Sequence, residues 1–305
     1  MNLRDLHYLV AVAETQHFGK AAERCFVSQP TLSSQIKKLE SELGVTLFER
    51  TNRKVAVTPV GEAIISHARK SIGHATAIEQ TARTHRDPLA GTLRIGSIPT
   101  LSPYLIPLIF RPMKQRFPKL RLLFSDEVTN TLEHRLAAHE IDAALLATAA
   151  NDKGLEELAL FDEPFWLVHP RDHPLYTKDE ITRNDLARLE MLLLSDAHCL
   201  SRQVMEVCRI GARDPEDTLE ELRAFGLETL IQLVSANFGC TLVPALVVSG
   251  SWMTGSGVVA RKLEVPEAFR RIRLVYRPSF PRVRALEAVA SVIRSNLPNT
   301  VRLVG

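Results

Sequence analysis

The sequence predicts an all-α winged helix-turn-helix with a long linker helix at the N-terminus, followed by an α/β domain of two subdomains. Three patterns carry that expectation. Short apolar runs at helical spacing fill the first ~58 residues and are punctuated by Ser28-Gln29-Pro30. From Pro59 the chain is polar with a thin apolar stripe. From Thr92 strand-like and helix-like segments alternate.

Leu3, Leu6, Leu9, Val10 and Val12-Ala13 define a first helix, and Phe18 to Arg24 a second. Ser28 is a good N-cap, and Pro30 is tolerated in a first turn because its missing N–H has no helical partner there. The third helix therefore starts at Ser28 and runs to about Leu43. Leu47 to Thr58 reads as a short two-stranded wing with Asn52 in its turn. Pro59 opens the next helix, which carries Ala63, Ile64, Ala68, Ile72, Ala75 and Ile78 towards Arg86. A long helix with so narrow a stripe suits a dimerising linker.

Beyond Asp87-Pro88-Leu89-Ala90-Gly91 the expected order is strand Thr92–Ile95, a helix through Leu105 and Ile109, strand Leu120–Phe124, and a helix through Leu132 and Leu136. Strands Ile141–Leu146 and Phe165–Val168 follow, with another apolar strand at Met191 to Leu194. Such alternation implies a mainly parallel sheet. A span this long favours two subdomains around a cleft.

Composition sets outer bounds. The 305 residues are 45% hydrophobic and 24% charged, enough for globular cores. No apolar run approaches ~18 residues, and MNLRDLHYLVAVAE lacks the features of a secretory signal, so the expectation is a cytoplasmic protein without a membrane partner. The net charge of +3 lies wholly in residues 1–87, with 12 Lys/Arg against 9 Asp/Glu; the remainder has 26 of each. A basic excess confined to the helical segment is what a nucleic-acid contact needs. The four cysteines, Cys25, Cys199, Cys208 and Cys240, show no CxxC and no Cys/His zinc spacing, so neither metal nor cofactor is expected.

Between Phe18 and Lys37 two short helices meet at a tight turn, the helix-turn-helix pattern whose second helix enters the major groove. Leu32, Ile36, Leu39 and Leu43 form its inward stripe. Pro30, Ser33, Ser34, Lys37 and Lys38 lie on the other side, where small hydroxyls permit close approach to bases and lysines reach phosphates or guanine. Phe18, Gln29 and Thr31 complete the expected contact set, and Arg50, Arg53 and Lys54 on the wing suit backbone or minor groove. Periodicity alone fits an ordinary amphipathic surface helix equally well.

The string AAERCFVSQPTLSSQIKKLESELGVTLFERTNRKVAVTPVGE (residues 21–62) resembles the winged helix-turn-helix of the LysR-type regulators. The resemblance implies a regulator of double-stranded DNA and RNA polymerase partnership. It also implies a homo-oligomer, a dimer of dimers, and a C-terminal effector domain like the periplasmic binding proteins.

The domains expected are 1–58 for DNA binding, 59–90 for linking and dimerisation, and 91–305 for sensing. Subdomain I would comprise about 91–162 and 268–305, and subdomain II about 163–267.

What the effector domain detects is suggested by residues 195–208. Leu200, Val204 and Val207 have helical spacing, which puts Cys199 near a helix N-terminus, where the dipole favours a thiolate. Nine helical residues span about 13.5 Å, whereas a disulfide needs Cα atoms about 4.4–6.8 Å apart. If both Cys199 and Cys208 occupy one helix when reduced, bonding them requires unwinding. For an arbitrary pair at this spacing, two inert buried thiols is the ordinary reading.

HCLxxQxMxxC (His198 to Cys208) resembles the redox loop of the peroxide-sensing LysR-type regulators, and FDEPF (161–165), GLETL (226–230), TLVPAL (241–246) and LVYRP (274–278) extend the likeness. The resemblance implies Cys199 as the thiol that reacts with hydrogen peroxide and Cys208 as the resolving thiol. It implies a peroxide pocket with Thr100, Thr129, His198, Gln203 and Arg270; Arg271 is the alternative to Arg270. Thr100, Thr129 and Cys199 all fall at strand-to-helix junctions, where open α/β sheets bind ligands. Cys25 and Cys240 read as packing residues. Ala197 stands where the resemblance expects glycine, and Ser201-Arg202 where an Arg-Asp pair occurs in relatives. The competing readings are a regulator gated by an organic effector and a thiol peroxidase. The second leaves residues 1–58 without purpose, so a non-enzyme is expected.

Overall fold

The computed structural model describes residues 1–50, 55–84, 87–150, 154–209, 226–248 and 257–304. The chain divides into two compact units, residues 1–87 with 135–140, and residues 88–134 with 141–305.

In the first unit, helices α1 (Leu3–Thr15), α2 (Phe18–Arg24) and α3 (Gln29–Leu43) pack together with the hairpin β1 (Phe48–Arg50) and β2 (Val55–Val57). Local chemistry sets each boundary. Asn2 and Asp5 close a capping box on α1, and Ser28 Oγ accepts from the Thr31 N–H at 3.3 Å to start α3. Gly44, at φ 70°, ends α3 in the left-handed conformation that glycine adopts freely. Leu32, Ile36 and Leu39 face the core with Leu9, Val12 and Phe48. Leu43, expected on that stripe, is exposed at the last turn. Glu40 joins α3 to the wing by accepting from the Leu47 and Phe48 N–H groups at 2.9 and 3.2 Å.

Helix α4 (Pro59–Thr84) follows, and Thr58 Oγ1 accepts from the Gly61 N–H at 3.0 Å to begin it. Ile65 and Ala68 are buried in the first unit's core, while Ile78 further along is exposed.

In the second unit, β3 (Gly91–Ser97), α5 (Ser102–Arg116), β4 (Leu120–Asp126), α6 (Thr129–Ala137) and β5 (Ala143–Leu146) form the alternating part. A 15-residue strand β6 (Glu156–Pro170) then leads to the short helix α7 (Arg183–Leu186), α8 (Cys199–Cys208) and α9 (Leu227–Ser235). Strand β7 (Thr241–Pro244), the short α10 (Ala245–Val248) and β8 (Val258–Lys262) follow. The chain returns through β9 (Phe269–Tyr276), α11 (Val283–Ser295) and β10 (Arg302–Leu303).

The strand order is β10-β6-β9-β5-β3-β4, with β7 and β8 also on β6. The expected mainly parallel sheet is not what forms. Among the named strands only β3–β4 and β3–β5 run parallel; the pairings of β9 with β5 and of β6 with β7, β8, β9 and β10 are antiparallel. Helical crossovers α5 and α6 give parallel neighbours, but β6 carries the chain outward and β9 brings it back, so these two oppose each other. Likewise Met191–Leu194 is not a full strand: Met191 makes one bridge to Cys240, and Leu192 N donates to Cys240 O at 2.7 Å.

Strand β6 belongs to two half-sheets. Its first part pairs with β9 up to Pro164 opposite Phe269, and its second pairs with β7 and β8 from Phe165 onward. Phe165 N donates to Ala268 O at 2.8 Å where the strands pass between the halves. Around the outer half-sheet one apolar cluster gathers Leu167, Leu192, Leu200, Val204, Leu230 and Leu242. Each such side chain contributes roughly 1.5–3 kcal/mol on full burial.

Gly61 lies where α4 meets the wing: a Cβ there would clash with the Leu47 carbonyl oxygen, a backbone atom with little freedom to retreat. Gly61→Ala is expected to destabilise the protein by about 1–3 kcal/mol, read as a lower urea midpoint; an unchanged midpoint would contradict this close approach.

Candidate functional site

Helix α8 begins at Cys199 and ends at Cys208. Neither thiol is in a disulfide, and the helix rise separates their Cα atoms by about 13.5 Å. Nine residues also make about two and a half turns, so the side chains leave opposite faces. Leu200, Val204, Val207 and Cys208 are buried in the apolar cluster, whereas Cys199 and Gln203 line a cleft of about 490 Å³. One helix thus presents one sulfur to a cavity and hides the other in a core.

His198 is the N-cap of α8 and is largely buried. Its carbonyl accepts from the Ser201 N–H at 3.1 Å, and its own N–H donates to Ser195 O at 3.0 Å. Ala197 is exposed in this turn and does not take a positive φ, so its methyl group is accommodated. Ser201 is buried and Arg202 exposed, so the charge of that pair faces outward. Gln203 Nε2 donates to Ala147 O at 2.8 Å, tying α8 to the end of β5. Its Oε1 is buried without a hydrogen-bond partner, as is Thr148 Oγ1 beside it in the cleft wall.

Arg270 lines the same cleft. Its Nη1 donates to Thr100 Oγ1 at 2.8 Å and its Nη2 to Thr100 O at 2.9 Å. Its Nε donates to Glu163 Oε2 at 2.9 Å, and both charged side chains are 0% exposed. Arg271 also lines the cleft, in a two-pronged bond to Asp162 at 2.7 and 2.9 Å with its side chain 40% exposed. Thr129 is the first residue of α6, and its buried hydroxyl has no partner. The structure therefore brings Cys199, Gln203, Arg270 and Arg271 to one cleft and joins Thr100 to Arg270, the buried one of the two arginines. Thr129 and His198 do not line that cleft, although each sits at a helix start. Glu163 was not among the expected residues; the buried ion pair is formed with a residue 107 positions away, a link that no local pattern shows.

Tyr104 near the start of α5 donates to Glu228 Oε1 on α9 at 3.1 Å. Burial first, then Glu228, holds its phenol protonated well beyond the ordinary range. Among the described residues no group of three or more His, Cys, Asp and Glu is arranged for a metal, and no helix is long and apolar enough to cross a membrane.

In the first unit, α3 exposes Gln29, Pro30, Thr31, Ser34, Lys37 and Lys38 along one side, with Ser33 half-buried. Phe18 does not belong to that surface. It is 8% exposed and meets Phe48 edge-on, ring centroids 6.1 Å apart, because the wing folds back over α2. Phe26, unforeseen from sequence, is 95% exposed in the turn before α3, with φ 56°. The left-handed turn between α2 and α3 turns it outward. Arg53, Lys54 and Asn52 lie outside the described residues, as does the side chain of Arg50.

Residues 3–62 match the bacterial regulatory helix-turn-helix protein family, lysR type, and residues 86–298 match the LysR substrate binding domain. The chain is similar to the hydrogen peroxide-inducible genes activator of Pectobacterium carotovorum, with 42% identity over 297 residues and 97% coverage of both chains. It is similar at 42% identity to the DNA-binding transcriptional dual regulator OxyR of Escherichia coli K12, over 97% of this chain and 96% of that one. Among solved structures, full-length OxyR C199D from Pseudomonas aeruginosa superposes with a TM-score of 0.82 and 35% identity, over 100% of this chain and 98% of the other.

Burial first and Glu190 second push the Cys240 thiol up to about 11, so at pH 8 roughly one molecule in a thousand carries the reactive thiolate there. Alkylation of the native protein at pH 8 is expected to label half-exposed Cys199 well before Cys240, and raising the pH toward 11 to speed labelling of Cys240 while the fold persists. Peptide mapping that finds Cys240 modified as fast as Cys199 at pH 8 would refute this order.

Proposed function

The chain belongs to the LysR family of bacterial transcriptional regulators, and from that premise we propose that it is a hydrogen-peroxide-sensing, DNA-binding activator of the OxyR type. The observation that carries the reading is the pair of thiols at opposite ends and faces of α8, one on a cleft beside Arg270 and the other in the core. A thiol pair held this way conducts no disulfide chemistry until the helix yields, which is the requirement for a switch and not for a staple.

The chemistry proceeds in two steps. The Cys199 thiolate attacks one peroxide oxygen; the S–O bond forms as the O–O bond breaks, and the second oxygen leaves as hydroxide that takes a proton to become water. Arg270 and Thr100 stabilise the charge on that departing oxygen, and Gln203 lines the cleft beside Cys199; Thr129 and His198 lie outside the cleft lining and are assigned to the pocket on the family resemblance alone. Cys199 is then a sulfenic acid, oxidised by two electrons, and the peroxide is reduced. In the second step Cys208 attacks the sulfenic sulfur, forming the S–S bond and releasing water. Because Cα atoms about 13.5 Å apart must come within about 7 Å, α8 unwinds and Cys208 leaves the core.

We assign DNA contact to Gln29, Pro30, Thr31, Ser33, Ser34, Lys37 and Lys38 on α3, with Arg50, Arg53 and Lys54 on the wing. Residues 1–58 serve DNA binding, 59–90 link and dimerise, and 91–305 sense, with subdomain I at about 91–162 and 268–305 and subdomain II at about 163–267. The protein works in the cytoplasm as a dimer of dimers that recruits RNA polymerase. The refolding of 199–208 reorients subunits and so shifts the footprint.

The cleft itself, at about 490 Å³, is far larger than peroxide and favours a second reading, an organic effector. One experiment separates the two. Full-length wild type, Cys199→Ser and Cys208→Ser proteins are treated with one equivalent of peroxide, then mapped by mass spectrometry and footprinted on operator DNA. The peroxide reading expects a 199–208 crosslink and a shifted footprint in wild type, neither in Cys199→Ser, and a trappable sulfenic acid at Cys199 in Cys208→Ser. Intact thiols in wild type, or the same footprint change in Cys199→Ser, would sink it.

A further inference from the structure

Resting on that reading, we infer that Glu163 is a positioning residue of the peroxide site: it clamps Arg270 so that the guanidinium meets the departing oxygen in a fixed orientation. Glu163 on β6 and Arg270 on β9 are register partners, one step from where β6 passes between the half-sheets. Both side chains are fully buried, and their bond is 2.9 Å long. The carboxylate is itself held, because its other oxygen accepts from the Leu246 N–H of α10 at 2.8 Å. Its two oxygens thus fix the arginine on one side and the protein backbone on the other.

A guanidinium has five N–H groups. Here Nε is taken by Glu163 and one N–H on each of Nη1 and Nη2 by Thr100. Two N–H groups are not taken up by these three bonds, and Arg270 is among the residues that line the cleft. Donors oriented before the reaction stabilise developing charge without reorganising, and donors that must swing into place do not. Glu163 does not touch the reacting atoms, since both of its oxygens are occupied; its effect passes through Arg270.

The pair also sets what the cleft accepts. A buried cation without a counter-charge would recruit an anion. Matched to Glu163, and with Arg271 and Arg273 nearby paired to Asp162 and Glu157, Arg270 leaves the site suited to a neutral oxidant such as hydrogen peroxide.

The test uses full-length Glu163→Gln and Glu163→Asp beside wild type. Two rates are followed at Cys199 by peptide mass spectrometry, oxidation by hydrogen peroxide and alkylation by iodoacetamide. Alkylation needs the same access to sulfur but expels iodide, with no oxygen for Arg270 to stabilise. Glu163→Gln is expected to slow oxidation by about 10- to 100-fold while alkylation stays within about twofold. Aspartate keeps the charge but is a methylene short of bridging Arg270 and Leu246, so Glu163→Asp should fall between. Oxidation at the wild-type rate in Glu163→Gln, or equal slowing of both reactions, would overturn the assignment. Should Glu163→Gln fail to fold, Glu163→Asp decides: slowed oxidation with unchanged alkylation supports it, and wild-type rates for both overturn it. A wild-type Cys199 inert to peroxide would sink the functional reading and this inference with it, whereas a reactive wild type with an indifferent Glu163 removes only the latter.

Discussion

The crossing of β6 and β9 between the two half-sheets is the constraint on which the sensing unit depends. At that crossing Arg270 and Glu163 are buried as a pair, and Arg270 reaches back to Thr100 in the turn before α5. Removing two charges from water is expensive unless each finds its partner and fills its remaining hydrogen bonds. Here the partners come from four places in the sequence: the β3–α5 turn, β6, α10 and β9. Both half-sheets must therefore be assembled before the pair is satisfied. The crossing also leads β6 toward the core on which α8 rests, so the cleft and the helix that lines it share one foundation.

Helix α8 is held by opposed demands. Leu200, Val204, Val207 and Cys208 anchor one face in the apolar cluster, and Gln203 holds the other to Ala147 by a single hydrogen bond. The apolar face supplies most of the stability, since four buried side chains outweigh one net hydrogen bond of about 1 kcal/mol. The N-terminal end carrying Cys199 is the less buried end of the helix, and Cys208 at the other end is fully buried.

Much of the first unit was legible because its signals are local. Ser28 capped α3, Pro59 opened α4, and the apolar spacing from Leu3 located α1, each within a residue or two of the observed boundary. The failures have long-range causes. Leu43 has the right spacing for the core but sits beyond the last residue that packs there. Phe18, expected on the DNA-facing surface, packs instead against Phe48 across the wing. Strand direction was legible only where helical crossovers join β3, β4 and β5: alternation reveals a strand but not which way a distant neighbour runs, and the antiparallel β6–β9 pair comes from segments about a hundred residues apart. In the site, Arg270 and Arg271 were indistinguishable in sequence since neighbours on a strand face opposite sides; one lies under the sheet with Glu163 and the other on its surface with Asp162. Glu163 itself reads as an ordinary acidic residue until its partner is known.

The burial of Cys208 bears on how long an oxidised molecule would last. Drawing that side chain from the cluster leaves a void and exposes part of the apolar face of α8, at a cost of about 1–3 kcal/mol by ordinary core-truncation standards. Each 1.4 kcal/mol set against a disulfide raises its potential by about 30 mV, which makes it an easier target for cellular thiols. Under the proposed switch, the packing that holds Cys208 in the core would thus act as a return spring, favouring reduction once the oxidant is gone.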